Sequence, residues 1–279
     1  MDERMGRGQH QGNAADREAV AAVEWLAAAM PEVACSVAPP CADLESPNDF
    51  WLGSANLETC LAYQDRFAAG MDDKIRAAHL IAFYSHQFSL AAGAIYLASG
   101  LVPSVSGLRF ETYLRPFDGR LAAGRFHFLV ELPPGENKRG PGEAARSFHD
   151  AFVVHLKPVI ALVKKRCGLS ARAQWRLAAD SLAGAFLEIG RRRGEEDTAT
   201  EQALAIVKRA HSPLASPELH FEKIIAEAPH SRTYRMRGGC CLYYRTDGGD
   251  FCDTCVLLDP EVRRERLRAH LLDRRHSSP

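Results

Sequence analysis

Between Arg76 and Arg109 the chain carries no Asp, Glu, Lys or Arg. A charge-free run of that length either crosses a bilayer or is enclosed by the rest of the protein. His79, His86, Gln87 and several serines interrupt it, and Pro103 breaks its later part. Polar groups at bilayer depth are costly. The run therefore predicts a central buried helix and no membrane span. Asp72-Asp73 would start that helix, with acids at the positive end of its dipole, and Gly100 would end it. His79 and His86 fall two turns apart on one face. They read as core histidines with hydrogen-bond partners or as groups lining a cavity, and the first reading is favoured.

The remaining segments can be arranged around this helix. Ala19, Val20, Val23, Trp25, Leu26 and Met30 recur at helical spacing until Pro31. Residues 31–50 hold four prolines and read as a loop. Cys35 and Cys41 lie in it with C-x5-C spacing and no second pair nearby, so they are expected to be structural or incidental thiols. A helix is expected over 55–69. Leu108, Phe110, Thr112 and Leu114 alternate with polar residues, Pro116-Phe117-Asp118-Gly119 signals a turn, and Phe126, Phe128 and Val130 alternate again, which predicts a hairpin over 105–132. An exposed loop follows to Gly142. Helices are expected over 143–167, where Pro158 should kink or split the helix, then over 171–190, 200–210 and 217–227. Asp259-Pro260-Glu261 starts a last helix, with Asp at the N-cap and Pro at the first turn, ending near Leu272.

Lys+Arg and Asp+Glu each total 35, so there is no global basic field to suggest nucleic acid as a partner. Gly6, Gly8 and Gly12 lack dinucleotide-fingerprint spacing. The first fifteen residues have no apolar core of a secretory leader. Eight cysteines in 279 residues are not a disulfide framework. The expected location is the cytoplasm, with reduced thiols.

Four of those cysteines fall between Cys240 and Cys255, in the pattern C-C-x10-C-x2-C. Soft thiolates at this density suit zinc or an iron–sulfur centre, and a disulfide pairing is a weaker third reading. Cys252 and Cys255 have knuckle spacing. Cys240 and Cys241 do not: adjacent side chains in an extended strand point to opposite faces, so binding one ion would need a distorted turn. A centre with two irons tolerates those directions more readily, which favours iron–sulfur, although the spacing differs from ferredoxin patterns. Gly238-Gly239 and Gly248-Gly249 are expected to permit positive φ and to turn N–H groups toward the sulfurs.

The run Arg237-Gly238-Gly239-Cys240-Cys241-Leu242-Tyr243-Tyr244, with its spacing to Cys252 and Cys255, resembles the FhuF-like ferric siderophore reductases. The segment Leu169 to Trp175 resembles that family's helix before the cluster; Gln174-Trp175-Arg176-Leu177 stands where a Leu-Trp-Gly-Asn-like run is common, and Val256 where many members have proline. The resemblance implies a [2Fe–2S] cluster held by Cys240, Cys241, Cys252 and Cys255, and one-electron reduction of a ferric siderophore with release of Fe(II). Arg235 and Arg237 would meet anionic chelate oxygens. No flavin or nicotinamide motif is visible, so an external donor such as a ferredoxin or a reductase would supply the electron. A zinc-stapled, non-enzymatic binding module and an iron–sulfur redox sensor are the alternatives. The expected fold is α+β: a predominantly helical body with one β-hairpin and a small C-terminal cysteine motif. The expected organisation is a flexible tail over 1–15, a helical scaffold or substrate domain over 16–228, and a cluster-binding region over 229–279.

Overall fold

The computed structural model describes residues 14–38, 44–114, 122–133, 140–227 and 230–276. The charge-free run folds as the central helix. Counting helices in chain order, α1 is Ala14–Ala29, α2 Pro47–Leu52, α3 Ser54–Tyr63 and α4 Asp73–Ser99. Asp72 caps α4, its Oδ1 accepting from the Ile75 N–H at 2.8 Å. Gly100, at φ 74°, closes it in the left-handed conformation that glycine adopts without a Cβ penalty. Of its most apolar stretch, 78% is buried inside the protein, so this helix is the core.

The other elements wrap it. Helices α5 (Pro141–Cys167), α6 (Ala171–Arg193) and α7 (Glu196–Val207) form one side. Pro158 does not split α5, which runs unbroken. Val154, whose carbonyl the missing proline N–H would have met, lies on an exposed side of the helix. The expected hairpin is present as β2 (Ser104–Leu114) and β3 (Ala122–Glu131), pairing Phe110 with Phe126 and Arg109 with His127. Its apolar face lies over α4. Phe126 is fully buried, with ring centroids 4.8 Å from Tyr84, 5.0 Å from Phe110 and 6.0 Å from Trp51.

Two stretches differ from the sequence reading. Within the proline-bordered loop, β1 (Ala34–Val37) pairs in parallel with β3, giving a three-stranded sheet of order β1-β3-β2. Four residues are too short a run to show a period, and their partner lies about ninety positions later. The same loop ends in α2, capped by Ser46, whose Oγ accepts from the Asp49 N–H at 3.2 Å.

The helix expected over 217–227 is instead the strand β4 (His220–Glu227), antiparallel to β5 (His230–Met236). Alternation was hidden there because each face of the strand packs one apolar residue among charged ones. Phe221 packs on the main core. Ile224, on the opposite face, joins Met236 of β5 and Leu267 of α8 (Pro260–His276) in a second small core. The last helix is held in place by that core and begins as expected, Asp259 Oδ1 accepting from the Glu261 N–H at 2.8 Å.

The turn at Pro116–Gly119, most of the loop after Leu132, Cys41, Pro229 and nearly all of the expected N-terminal tail lie outside the described residues.

Candidate metal centre

Strand β5 delivers the chain to the cysteines, and α6 receives it. Asp180, 1% exposed in the middle of α6, accepts from the Gly238 N–H at 2.8 Å and from the Gly239 N–H at 2.9 Å, one on each carboxylate oxygen. The two glycines therefore present their N–H groups to Asp180 and not to the sulfurs, contrary to the sequence expectation. Neither has positive φ; Gly248 does, at 72°. What glycine allows at 239 is close approach, since a Cβ there would sit 3.0 Å from the backbone of Arg176 and Leu177. This is the α6 segment that the family resemblance picked out.

The turn needed to redirect Cys240-Cys241 is provided by the next residue. Leu242 has φ 62°, a left-handed conformation uncommon outside glycine. Its N–H then points to Cys240 Sγ at 3.4 Å. Beyond it, Tyr243–Arg245 make a short 3-10 turn. The loop is tied to the foot of α4 by Arg245, which donates to Asp72 Oδ2 at 2.7 Å, and by the Asp247 N–H, which donates to the Ala69 carbonyl at 3.0 Å. The second cysteine pair is a tight turn, with the Cys255 N–H donating to the Cys252 carbonyl at 2.8 Å.

The four thiols are free and face one another electrostatically. Cys255 is buried, and Cys240, Cys241 and Cys252 are half-buried. Cys241 and Cys252 share a hydrogen bond. The Cys241 thiol is held well below the usual thiol range, first by that bond and then by His79, Arg237 and the Tyr243 N–H. The Cys252 thiol is pushed up by the same bond and by burial. Burial also raises Cys240. A thiol binds metal as the thiolate, so loading the site displaces whatever protons the sulfurs carry.

Arg237 supplies positive charge. Its Nη1 approaches Cys252 Sγ at 3.7 Å and its Nε lies 3.5 Å from Asp180 Oδ2. Burial opposes its charge, and Cys241, Asp180 and Cys252 more than offset that. Arg235 donates from Nη1 to the Asp180 carbonyl at 2.6 Å, in the space that the missing side chain of Gly184 leaves. Both arginines are thus turned inward, beneath the cysteines, where the sequence reading had them facing a substrate.

Two participants escaped the sequence reading. Asp180 carried a signal: it is the one charge in the otherwise apolar or small run from Leu177 to Gly184. His79 was read as a core residue. It reaches Cys241, its ring lies 6.2 Å from that of Tyr243, and its buried Nε2 has no hydrogen-bond partner among the described residues. His86 lies elsewhere, 3.5 Å from Glu188. Cys35, Cys60 and Cys167 sit in β1, α3 and α5, and burial pushes their thiols up to about 12, 12 and 11.

Among the described residues no three His, Cys, Asp or Glu side chains close on one point as a single ion requires. Thiols with an N–H donor at Cys240 Sγ and a guanidinium at Cys252 Sγ are of the chemistry an iron–sulfur centre uses. Fold and site together define an iron–sulfur protein with its centre at the end of a helical body. Residues 107–236 match the family described as ferric iron reductase FhuF-like transporter, and residues 237–257 match the FhuF 2Fe-2S C-terminal domain. The chain belongs to the FhuF-like family, and its cofactor is a [2Fe–2S] cluster. That match replaces the zinc-stapled alternative. No curated protein matches the chain.

Proposed function

We propose that this protein is a cytoplasmic reductase that delivers one electron to Fe(III) held by a siderophore, with Cys240, Cys241, Cys252 and Cys255 as the cluster ligands. The cluster, when bound, supplies a one-electron couple. The iron of the chelate goes from Fe(III) to Fe(II), which a siderophore binds far more weakly, and the metal is released. An external one-electron donor, a ferredoxin or a reductase, restores the electron. In this reading residues 16–228 are the scaffold and 229–279 the cluster-carrying region, joined by the β4–β5 hairpin.

The observation that carries the reading is the exposure of the cysteine loop. Three of the four cysteines are only half-buried, and Tyr243, Tyr244 and Leu257 beside them are exposed. A chelate can approach such an edge without any rearrangement of the body. Arg237 offsets negative charge at the thiolates, which favours accepting an electron, and this is the role we assign it in place of a chelate contact. His79 adds a polar group against Cys241.

The test is stoichiometric. Protein reduced anaerobically with dithionite, then freed of it, is mixed with ferric siderophores and a ferrous-specific dye. About one Fe(II) trapped per chain, with return of the oxidised spectrum, is the expected result. Reduced protein that keeps its electron against every ferric chelate, yet changes its partner binding with redox state, would replace the reductase with the sensor. A second expectation concerns the edge: Tyr243→Ala should leave the visible spectrum unchanged and slow Fe(II) release several-fold.

A further inference from the structure

We propose that Asp180 is the positioning residue of the cysteine site: its buried carboxylate fixes the Gly238–Gly239 turn and Arg237, so that Cys240 and Cys241 are already presented before the cluster is inserted. This rests on the ligand set proposed above.

The geometry is that of a built anchor. Asp180 sits mid-helix, where a charge is expensive unless paired. Its two oxygens accept from the Gly238 N–H at 2.8 Å and the Gly239 N–H at 2.9 Å, and Arg237 Nε lies 3.5 Å from Oδ2 as an ion pair without a hydrogen bond. Arg235, held on the Asp180 carbonyl at 2.6 Å, adds a second positive charge beneath it. The surroundings are shaped for this contact. Side chains at 238 and 239 would collide, with Ser216 Oγ at 2.4 Å and with the α6 backbone at 3.0 Å respectively, and the missing side chain at 184 admits Arg235. A loop that brings two adjacent cysteines to one centre is poorly suited to ordering itself, because its thiols repel once ionised. Two charge-assisted hydrogen bonds from α6 supply the order from the opposite side of the backbone. The same carboxylate holds Arg237 at Cys252 Sγ, so it also controls the charge seen by the sulfurs.

Asp180→Asn keeps the shape, loses the negative charge and puts an amide N–H against one of the glycine donors. Hydrogen exchange is measured by mass spectrometry on the full chain, wild type and variant, cluster-loaded and cluster-free. In wild type the Gly238 and Gly239 amides should be protected in both forms. In Asp180→Asn they should exchange at least tenfold faster, cluster loss to a chelator should accelerate several-fold, and the reduction potential should rise because a negative charge has been removed. In an Arg237→Gln background the rise should be larger, since the opposing shift from releasing Arg237 from Cys252 Sγ is absent there. Unprotected glycine amides in cluster-free wild type would overturn the proposal even if the variant failed to fold. So would a variant with wild-type protection and potential. Absence of two irons and two sulfides from wild type would instead count against the ligand assignment.

Discussion

Cys252→Ser is expected to yield a folded protein that has lost its [2Fe–2S] spectrum, with iron and sulfide falling from about two each per chain to near zero. The hydroxyl of serine stays protonated where a thiol ionises, so one iron loses a ligand. Cys252 is also the partner of Cys241, and its sulfur is approached by Arg237 Nη1 at 3.7 Å, so its loss disturbs both neighbours. Cys240→Ser should act alike, because its sulfur is the one the Leu242 N–H reaches. Cys35→Ser, Cys60→Ser and Cys167→Ser should keep the visible spectrum. Cys60 and Cys167 are buried, Cys35 is half-buried, and burial of each thiol raises its pKa well above neutral. Placing a hydroxyl at the buried Cys60 should cost about 1–3 kcal/mol of stability and no colour. Cys41→Ser, outside the described residues, should also keep it. Metal and sulfide analysis, with electron paramagnetic resonance of the dithionite-reduced protein, separates these outcomes. A colourless Cys35 or Cys167 variant would move the centre elsewhere.

Phe126→Ala is expected to destabilise the fold by about 3–5 kcal/mol. Phe126 is fully buried where the three-stranded sheet meets α4. Its ring lies 4.8 Å from Tyr84, 5.0 Å from Phe110, 5.8 Å from Phe83 and 6.0 Å from Trp51, so its removal opens a cavity walled by rings that cannot collapse into it. Its backbone N–H, which donates to Gln87 Oε1 at 2.6 Å, is kept in the variant, so the loss is one of packing. Thermal unfolding followed by circular dichroism should show a melting temperature lower by on the order of 10 °C. Leu52→Ala, at a side chain 75% exposed, should change it by little. Equal shifts for the two variants would show that the sheet is not part of the core.

The central helix and the first hairpin were legible because their signals are local. Asp72 caps α4, Gly100 ends it, and the residues between carry no charge. Alternation from Leu108 to Leu114 and from Phe126 to Val130 follows a sheet with one face on the core. The second hairpin was not legible, because Phe221 and Ile224 serve different cores on opposite faces and charged residues lie on both, so neither face reads as wholly apolar or wholly polar. Strand β1 is four residues long and has meaning only beside β3.

For the site, chemistry was legible and support was not. The cysteine spacing pointed to a metal centre, since thiolates at that density have few uses besides metal binding, and it is the basis of the donor set proposed above. Which donors surround the sulfurs is a matter of long-range approach: Asp180 is about sixty residues from the turn it holds, and His79 more than a hundred and fifty from Cys241. Residue types at such separations leave no pattern in one sequence. The chain alone determined a buried central helix, one hairpin and the iron–sulfur character of the C-terminal region, because periodicity, capping and thiol chemistry act over a few residues. Only the tertiary structure decided that the glycine pair answers to a buried carboxylate, and that Arg235 and Arg237 face inward. Those facts depend on burial, and burial is set by the whole fold.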